Sequence, residues 1–257
     1  MRILFIGDIF AKPGRNAVRH LLPSLIQELR PDIVLANLEN LAGGAGLTEE
    51  TCNEMFALGI RAATTGNHVW DHREVFAYFE KNPPIVRPLN YPAGAPGRGW
   101  LVLEDLDLLI VNLQGRVFMR SLDDPFLAMD ALLSKERHRF TFVDFHAEAT
   151  GEKRALGLYL DGRVGAFTGT HTHVQTADEQ CLPKGTGYIT DAGMVGPRHS
   201  VIGTEPQSTI RRYLTQLPYR FQTGSGAVDF NGVVFDLDDT TGLCSSVTRI
   251  QRTWSPE

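Results

Sequence analysis

Two patterns predict an α/β domain built from two sheets beneath outer helices. Short apolar runs alternate with amphipathic stretches through the first 80 residues, which marks βαβ units and a mainly parallel sheet. The middle and the end instead carry pairs of neighbouring strands joined by short polar turns. A third observation keeps residues 1–257 in one domain: no internal repeat, low-complexity tract or long linker divides the chain.

In chain order, residues 2–7 (RILFIG) read as a buried strand. Residues 16–29 place Val18, Leu21, Leu22, Leu25, Ile26 and Leu29 at helical spacing. Residues 33–37 (IVLAN) form the second strand. The glycine-rich turn Gly43-Gly44-Ala45-Gly46 leads to Thr48, which caps a helix over 49–58. Residues 61–65 make a third strand, 73–80 a helix, and Pro83-Pro84 a break. Residues 100–103 and 108–113 form an antiparallel hairpin across the acidic turn 104–107. Residues 227–237 and 242–254 form a second one around 238–241.

The 42% apolar and 21% charged content is that of an ordinary soluble globular protein, and 257 residues bury a substantial core unaided. Net charge is −5 with cations scattered, which argues against stable nucleic-acid binding, since that wants a basic stripe. A small phosphate substrate remains compatible, because metal ions supply positive field locally. Cys52, Cys181 and Cys244 make no CxxC pair, so incidental thiols in a reducing compartment are expected. The apolar start at 3–6 runs straight into Gly7-Asp8, too short for a secretory h-region. No stretch approaches the roughly 20 apolar residues of a membrane span. A cytoplasmic protein without a membrane partner is expected.

Polar groups of one kind follow five of the apolar runs. Asp8, Glu39, Asn67, His146 and the pair His171/His173 stand just beyond ILFIG, IVLAN, RAATT, FTFVDF and VGAFTG. In an open α/β sheet, groups beyond the carboxyl ends of the strands share one crevice. Mixed oxygen and nitrogen donors suit manganese, iron or zinc rather than the oxygen cage of calcium. One tetrahedral ion takes about four ligands, so this set fits two. Glu39 is the candidate bridge, since a shared anion offsets the repulsion between two dications. Asp8 completes the first ion and the Asn67 amide oxygen serves the second. His171 and His173, if extended, face the same way and serve both ions from one segment. His146 adds the remaining nitrogen. His20, His72, His138 and His199 lack such support, and His20 and His138 read as surface residues.

His68 follows Asn67 and belongs beside the metals without being needed as a ligand. Phosphate ester cleavage requires a hydroxide held by the metals and a proton for the departing oxygen. An imidazole at the rim gives that proton near neutral pH. Asp71 or His72 would orient it; a role for His68 in binding metal or phosphate stays open. Lys12, Arg15 and the loop 193–203, which contains Arg198-His199, are candidate contacts to substrate phosphate or base. Gly14-Arg15-Asn16 would open the first helix, whose N-terminus favours anions. No Lys-Ser/Thr follows Gly43, Gly44 and Gly46, and no GxGxxG follows a strand, so P-loop and dinucleotide readings drop out.

Gly7-Asp8, Gly66-Asn67-His68, His146 and Thr170-His171-Thr172-His173, in that order, resemble the calcineurin-like metallophosphoesterase superfamily. Its usual pattern is DxH, GDxxD, GNHE/D, a lone His and GHxH. Here Phe10 replaces the first histidine, Asn37-Leu38-Glu39-Asn40 replaces GDxxD, and Thr170 replaces a glycine. With GDIFAKPGR, TTGNHVWDH, NLQGR, GTHTHVQTAD and ITDAGMVGP, these departures resemble the YmdB-like bacterial phosphodiesterases over nearly the whole chain. The resemblance implies a two-sheet αββα sandwich and a di-iron or di-manganese centre; iron is the first expectation, and zinc accepts the same donors. It implies hydrolysis of cyclic nucleotides, preferentially 2′,3′-cyclic nucleoside monophosphates. Asp8, Glu39, Asn40 and His173 would hold one ion. Glu39, Asn67, His146 and His171 would hold the other, with His68 as proton donor and Asn40 replacing the ligand lost at Phe10. A nucleotidase acting on monoesters, or a regulatory protein that binds a cyclic nucleotide without turnover, are the alternatives. Exposed sheet edges are compatible with a homo-oligomer.

Overall fold

Successive side chains of a strand face opposite ways, so a strand buried on both faces separates two apolar layers. The computed structural model, which describes residues 1–218 and 220–256, is organised by such strands. Of the expected 1–257 unit, Tyr219 and Glu257 lie outside the described residues. In β1 (Arg2–Ile6), Leu4 and Ile6 pack outward with Val18 and Leu22 of α1 (Ala11–Leu29). Ile3 and Phe5 point the other way, into a layer shared with Phe142 and Phe235. The Phe5 and Phe142 rings lie 5.0 Å apart there.

Among the described residues the strands form one sheet of seven and one of six. The first runs β2 (Asp8–Ile9), β11 (Met194–Pro197), β12 (Val228–Leu237), β1, β3 (Ile33–Asn37) and β4 (Ala62–Thr64), with β13 (Cys244–Trp254) also on β12. Besides α1, α2 (Glu49–Ala57) and α3 (Val75–Glu80) cover its outer face. The second runs β5 (Trp100–Leu103), β6 (Leu108–Gln114), β7 (Phe140–His146), β8 (Ala166–Thr170), β10 (Gly187–Ile189) and β9 (Gln180–Cys181). Its outer face, with Val111, Val143 and Phe145, packs on α4 (Pro125–Leu133) and α5 (Thr150–Tyr159). The result is a single domain layered α, β, β, α. Strands β1, β3 and β4 are parallel, as are β6, β7, β8 and β10. Their carboxyl ends deliver side chains to one rim of the stack. No helix among the described residues is long and apolar enough to cross a membrane.

Both expected hairpins are present, β5 with β6 and β12 with β13. The Thr48 cap also forms: its hydroxyl accepts the Thr51 N–H while the Thr51 hydroxyl accepts the Thr48 N–H. The first helix starts five residues earlier than its apolar spacing indicates. Pro13 sits in the opening turn, where its missing N–H costs nothing. Gly14, Arg15 and Asn16 therefore lie inside α1 and cannot form an open anion-binding end. The strand expected over 61–65 spans Ala62–Thr64, and the helix expected from residue 73 begins at Val75. Part of the expected 193–203 loop is β11.

The cysteines are less isolated than their spacing indicates. Cys181 Sγ lies 3.1 Å from Cys244 Sγ. His138 is half-buried between Asp107 and Glu136 rather than free at the surface, whereas exposed His20 stacks on Trp254.

Candidate metal centre

At the rim of the parallel strands the structure brings together all seven expected donor residues. His146, at the end of β7, is fully buried. Its Nε2 lies 3.0 Å from Glu39 Oε1, 2.9 Å from Asn67 Oδ1 and 3.0 Å from His171 Nδ1. Glu39, His146 and His171 form a group of three donors mutually within 4.8 Å. Asp8 accepts the His171 backbone N–H at 3.2 Å through Oδ2. His173 shares a cavity with Glu39, Asn40, His68 and His171.

The orientation of His146 is set by a buried chain. Thr170 Oγ1 donates to Asp144 Oδ1 at 2.7 Å and so accepts from His146 Nδ1 at 2.9 Å. Asp144 also accepts from the Thr64 hydroxyl and the Asn37 amide. Burial pushes Asp144 up, against His146 and these donors, to about 6. The ring rests directly on backbone: a Cβ at Gly66 would fall 2.2 Å from it, so this position must be glycine. Such hydrogen bonds to the far nitrogen fix which imidazole atom faces a metal.

His171 and His173 are not extended. They adopt left-handed φ of 98° and 66°, so the same-side argument for an extended pair fails. A buried acid shapes the segment instead. Asp191 accepts the Thr172 hydroxyl at 2.8 Å, the Lys153 ammonium at 2.7 Å and the Gly193 N–H at 2.8 Å. The turned segment aims the two rings differently. His171 Nδ1 faces His146 while its Nε2 lies 3.1 Å from Glu148 Oε2; His173 Nδ1 donates to the Ile202 carbonyl at 2.9 Å. Burial lowers both histidines, His171 to about 3, so both present neutral lone pairs.

Within the site, Asp8 Oδ1, Glu39 Oε1 and Asn40 Oδ1 are buried without a hydrogen bond, apart from the 3.0 Å approach of His146 Nε2 to Glu39 Oε1. Asn40 Nδ2 is occupied by the Gly44 carbonyl at 2.9 Å, which leaves its oxygen free. Each such orphan costs about 1–3 kcal/mol unless something else satisfies it. The electrostatics point the same way. Burial, with Glu39, Asp191 and Asp144 adding to it, holds Asp8 well above the carboxylate range. Burial opposes a charge on His146, yet Glu39, Asp8 and Asp144 raise it to about 9. Burial alone would raise Glu39, but His146 and His68 hold it at about 2. The pocket demands positive charge, and borderline divalent cations fit this donor set.

His68 sits beside the cluster. Its backbone N–H donates to Glu39 Oε2 at 3.0 Å, and its Nδ1 lies 2.7 Å from Asp71 Oδ2. His72 is turned away, against the Ala42 carbonyl. Arg15 is occupied by Glu54 and the Leu41 carbonyl, and Lys12 is exposed outside the cavity lining. Arg198 reaches Thr253 on β13. From the 193–203 loop the cavity receives Val201 and Ile202 instead, so its contribution is apolar. Asp144, Glu148, Lys153 and Asp191 are the positioning residues that sequence reading missed.

Carboxylate, amide and imidazole donors at the strand ends of a two-sheet α/β domain define a metallohydrolase type of site. The sequence model of the YmdB-like protein family matches residues 4–250. A 2′,3′-cyclic-nucleotide 2′-phosphodiesterase of Bacillus subtilis (strain 168) is 47% identical over 254 residues, covering 97% of this chain and 96% of that one. A crystal structure of a hypothetical protein from Thermus thermophilus superposes with a TM-score of 0.94 at 44% identity, covering 100% of both chains. A novel phosphatase from Mycoplasma pneumoniae gives 0.95 at 34% identity, covering 99% of this chain and 94% of that one. The chain belongs to the YmdB-like family.

Proposed function

We propose that the chain is a two-metal phosphodiesterase that opens 2′,3′-cyclic nucleoside monophosphates. The carrying observation is the convergence of seven donor side chains at one rim, two of which, Asp8 and Asn40, present buried oxygens with no hydrogen-bond partner. The Bacillus subtilis relative supports the substrate class. Asp8, Glu39, Asn40 and His173 would hold one cation; Glu39, Asn67, His146 and His171 would hold the other. Iron is the first candidate, and manganese or zinc accept the same donors. Bound there, the cations supply Lewis-acid polarisation of the phosphoryl group and lower the pKa of water.

The chain's own groups do the rest. Glu39 would serve both positions with its carboxylate, and its Oε2 holds the His68 backbone in place. Asp144, through Thr170, keeps His146 Nδ1 engaged so that Nε2 faces the site. His68, with Nδ1 on Asp71, gives its proton to the departing ribose oxygen, and Asp71 stabilises the imidazolium before proton transfer. Opening at the 2′ oxygen leaves a 3′-monophosphate. We take residues 1–257 as one domain and propose that it works in the cytoplasm.

The test is product analysis on 2′,3′-cyclic AMP, 2′-AMP and 3′-AMP with iron-, manganese- or zinc-loaded protein. The cyclic substrate is expected to yield 3′-AMP that persists. Phosphate release from the monoesters at comparable kcat/KM would favour the phosphatase reading that the Mycoplasma neighbour's description suggests. Tight binding without turnover by fully loaded protein would overturn hydrolysis altogether.

A further inference from the structure

The metal-ligand cavity, about 480 Å³, is lined in part by residues that the chemistry above leaves unused. Besides Glu39, His68 and His171, its lining includes Ile202, Tyr213, Phe221 and Phe10, the last with its ring 5.7 Å from that of His173. Tyr213 is 72% exposed, Ile202 52% and Phe221 45%, so three large apolar groups face solvent beside a polar centre. Phe221 has one face covered by the Arg212 guanidinium, 4.7 Å from its centroid. Among the described residues, no Lys or Arg lines the cavity. Away from the metal-ligand candidates the lining mixes the aromatic Tyr213 and Phe221 with the uncharged polar Thr204, Thr209, Gln222 and Thr223, and the Arg212 cation meets it only through the Phe221 ring.

The wall is a built unit. The Glu205 carboxylate caps α6 (Pro206–Thr215) by accepting the Gln207 and Ser208 N–H groups, each at 2.7 Å. The Glu205 N–H donates to the Gln222 carbonyl and the Gly224 N–H to the Gly203 carbonyl, joining the segments that carry Ile202 and Phe221. The Ile202 carbonyl in turn accepts from His173. The apolar wall is thus tied by one hydrogen bond to a metal-ligand candidate.

We propose that Ile202, Tyr213 and Phe221 form the seat for the nucleobase, and that the base, rather than a second phosphate, supplies the binding energy remote from the metals. This rests on the function proposed above. A base presents a flat apolar face that an aromatic side chain stacks on, whereas a second phosphate would find no cation in this lining.

The test compares 2′,3′-cyclic AMP with ribose 2′,3′-cyclic phosphate, which keeps the reacting ring and lacks the base. Stacking is worth about 1–3 kcal/mol per base, so wild-type KM for the base-free compound is expected to be on the order of tenfold or more higher. kcat should stay within about twofold, because the metal end is unchanged. In Y213A/F221A the KM for 2′,3′-cyclic AMP should rise to the base-free value, while the base-free KM stays put. Equal KM values for the two compounds in the wild type would overturn the seat. So would a folded Y213A/F221A protein, checked by circular dichroism, whose KM for 2′,3′-cyclic AMP stays at the wild-type value. Turnover of neither compound by loaded wild-type protein would sink the function itself, and the seat with it.

A separate observation carries a second inference. Cys181 is exposed on β9, an edge strand of the second sheet, and Cys244 opens β13 on the first, with their sulfurs 3.1 Å apart. Cys181 is the exposed member of the pair and Cys244 is partly buried, its thiol pushed up by burial, so Cys181 is the sulfur that an oxidant reaches first. We infer that peroxide converts this pair to an intersheet disulfide. The Cys181 sulfur attacks the peroxide O–O bond, giving sulfenic acid and one water. Cys244 then displaces the second oxygen as water, so that two thiols and one H2O2 give one disulfide and two waters. Alkylation and mass spectrometry after peroxide treatment should show a loss of two hydrogens linking the Cys181 and Cys244 peptides, with buried Cys52 still free. Tm should rise by roughly 5–10 °C, reversibly with dithiothreitol and not in C181S. Two alkylatable thiols, or separate sulfinic acids, would overturn it.

Discussion

Glu39→Gln is expected to release metal and abolish turnover, with kcat reduced on the order of 10³-fold or more. Glutamine keeps the volume and one carbonyl oxygen, so the packing around β3 is little disturbed. It removes the one carboxylate placed to serve both ion positions, where Glu39 Oε1 lies 3.0 Å from His146 Nε2 and Oε2 accepts the His68 N–H. Neutral amide oxygens do not offset repulsion between two dications, so occupancy should fall below two per chain. Metal analysis alongside circular dichroism checks it. A folded Glu39→Gln protein with full metal content and wild-type turnover would contradict the bridging role.

His68→Ala should behave oppositely with respect to metal. None of the expected donors depends on the His68 ring, which is occupied at Nδ1 by Asp71, so metal content should be retained. Loss of a general acid typically costs about 10²–10⁴-fold, and kcat for 2′,3′-cyclic AMP should fall by that order. The discriminating substrate is a bis(p-nitrophenyl) phosphate, whose leaving group departs without a proton. Its kcat should fall far less. An equal fall on both substrates would make His68 an orienting group, and a parallel loss of metal would make it a ligand.

Six of the seven donor candidates were legible because each ends, or closely follows, an apolar strand run, and parallel strands place such ends on one rim; Asn40 came only from the family resemblance. What shapes them was not. Asp144 lies inside the run FTFVDF, where alternation marks only burial, and its partners Thr64 and Thr170 are 80 and 26 residues away. Lys153 and Asp191 read as ordinary charges, yet each is 1% exposed and they pair 38 residues apart. The left-handed turn at His171 and His173 has no glycine to announce it, because tertiary hydrogen bonds impose it. Two helices carried local signals: Asp124-Pro125 and Glu205-Pro206 each place an acidic cap before a proline in the first turn. The start of α1 was hidden by Pro13, which reads as a loop residue although the first helical turn tolerates it.

Anomalous diffraction from crystals of the catalytically active, metal-loaded protein tests the central claim most directly. Two peaks about 3.5–4 Å apart are expected, one on each side of the Glu39 carboxylate. His146 and His171 should flank one peak and His173 the other. Fully active protein showing a single peak, or a pair remote from Glu39, would contradict the account.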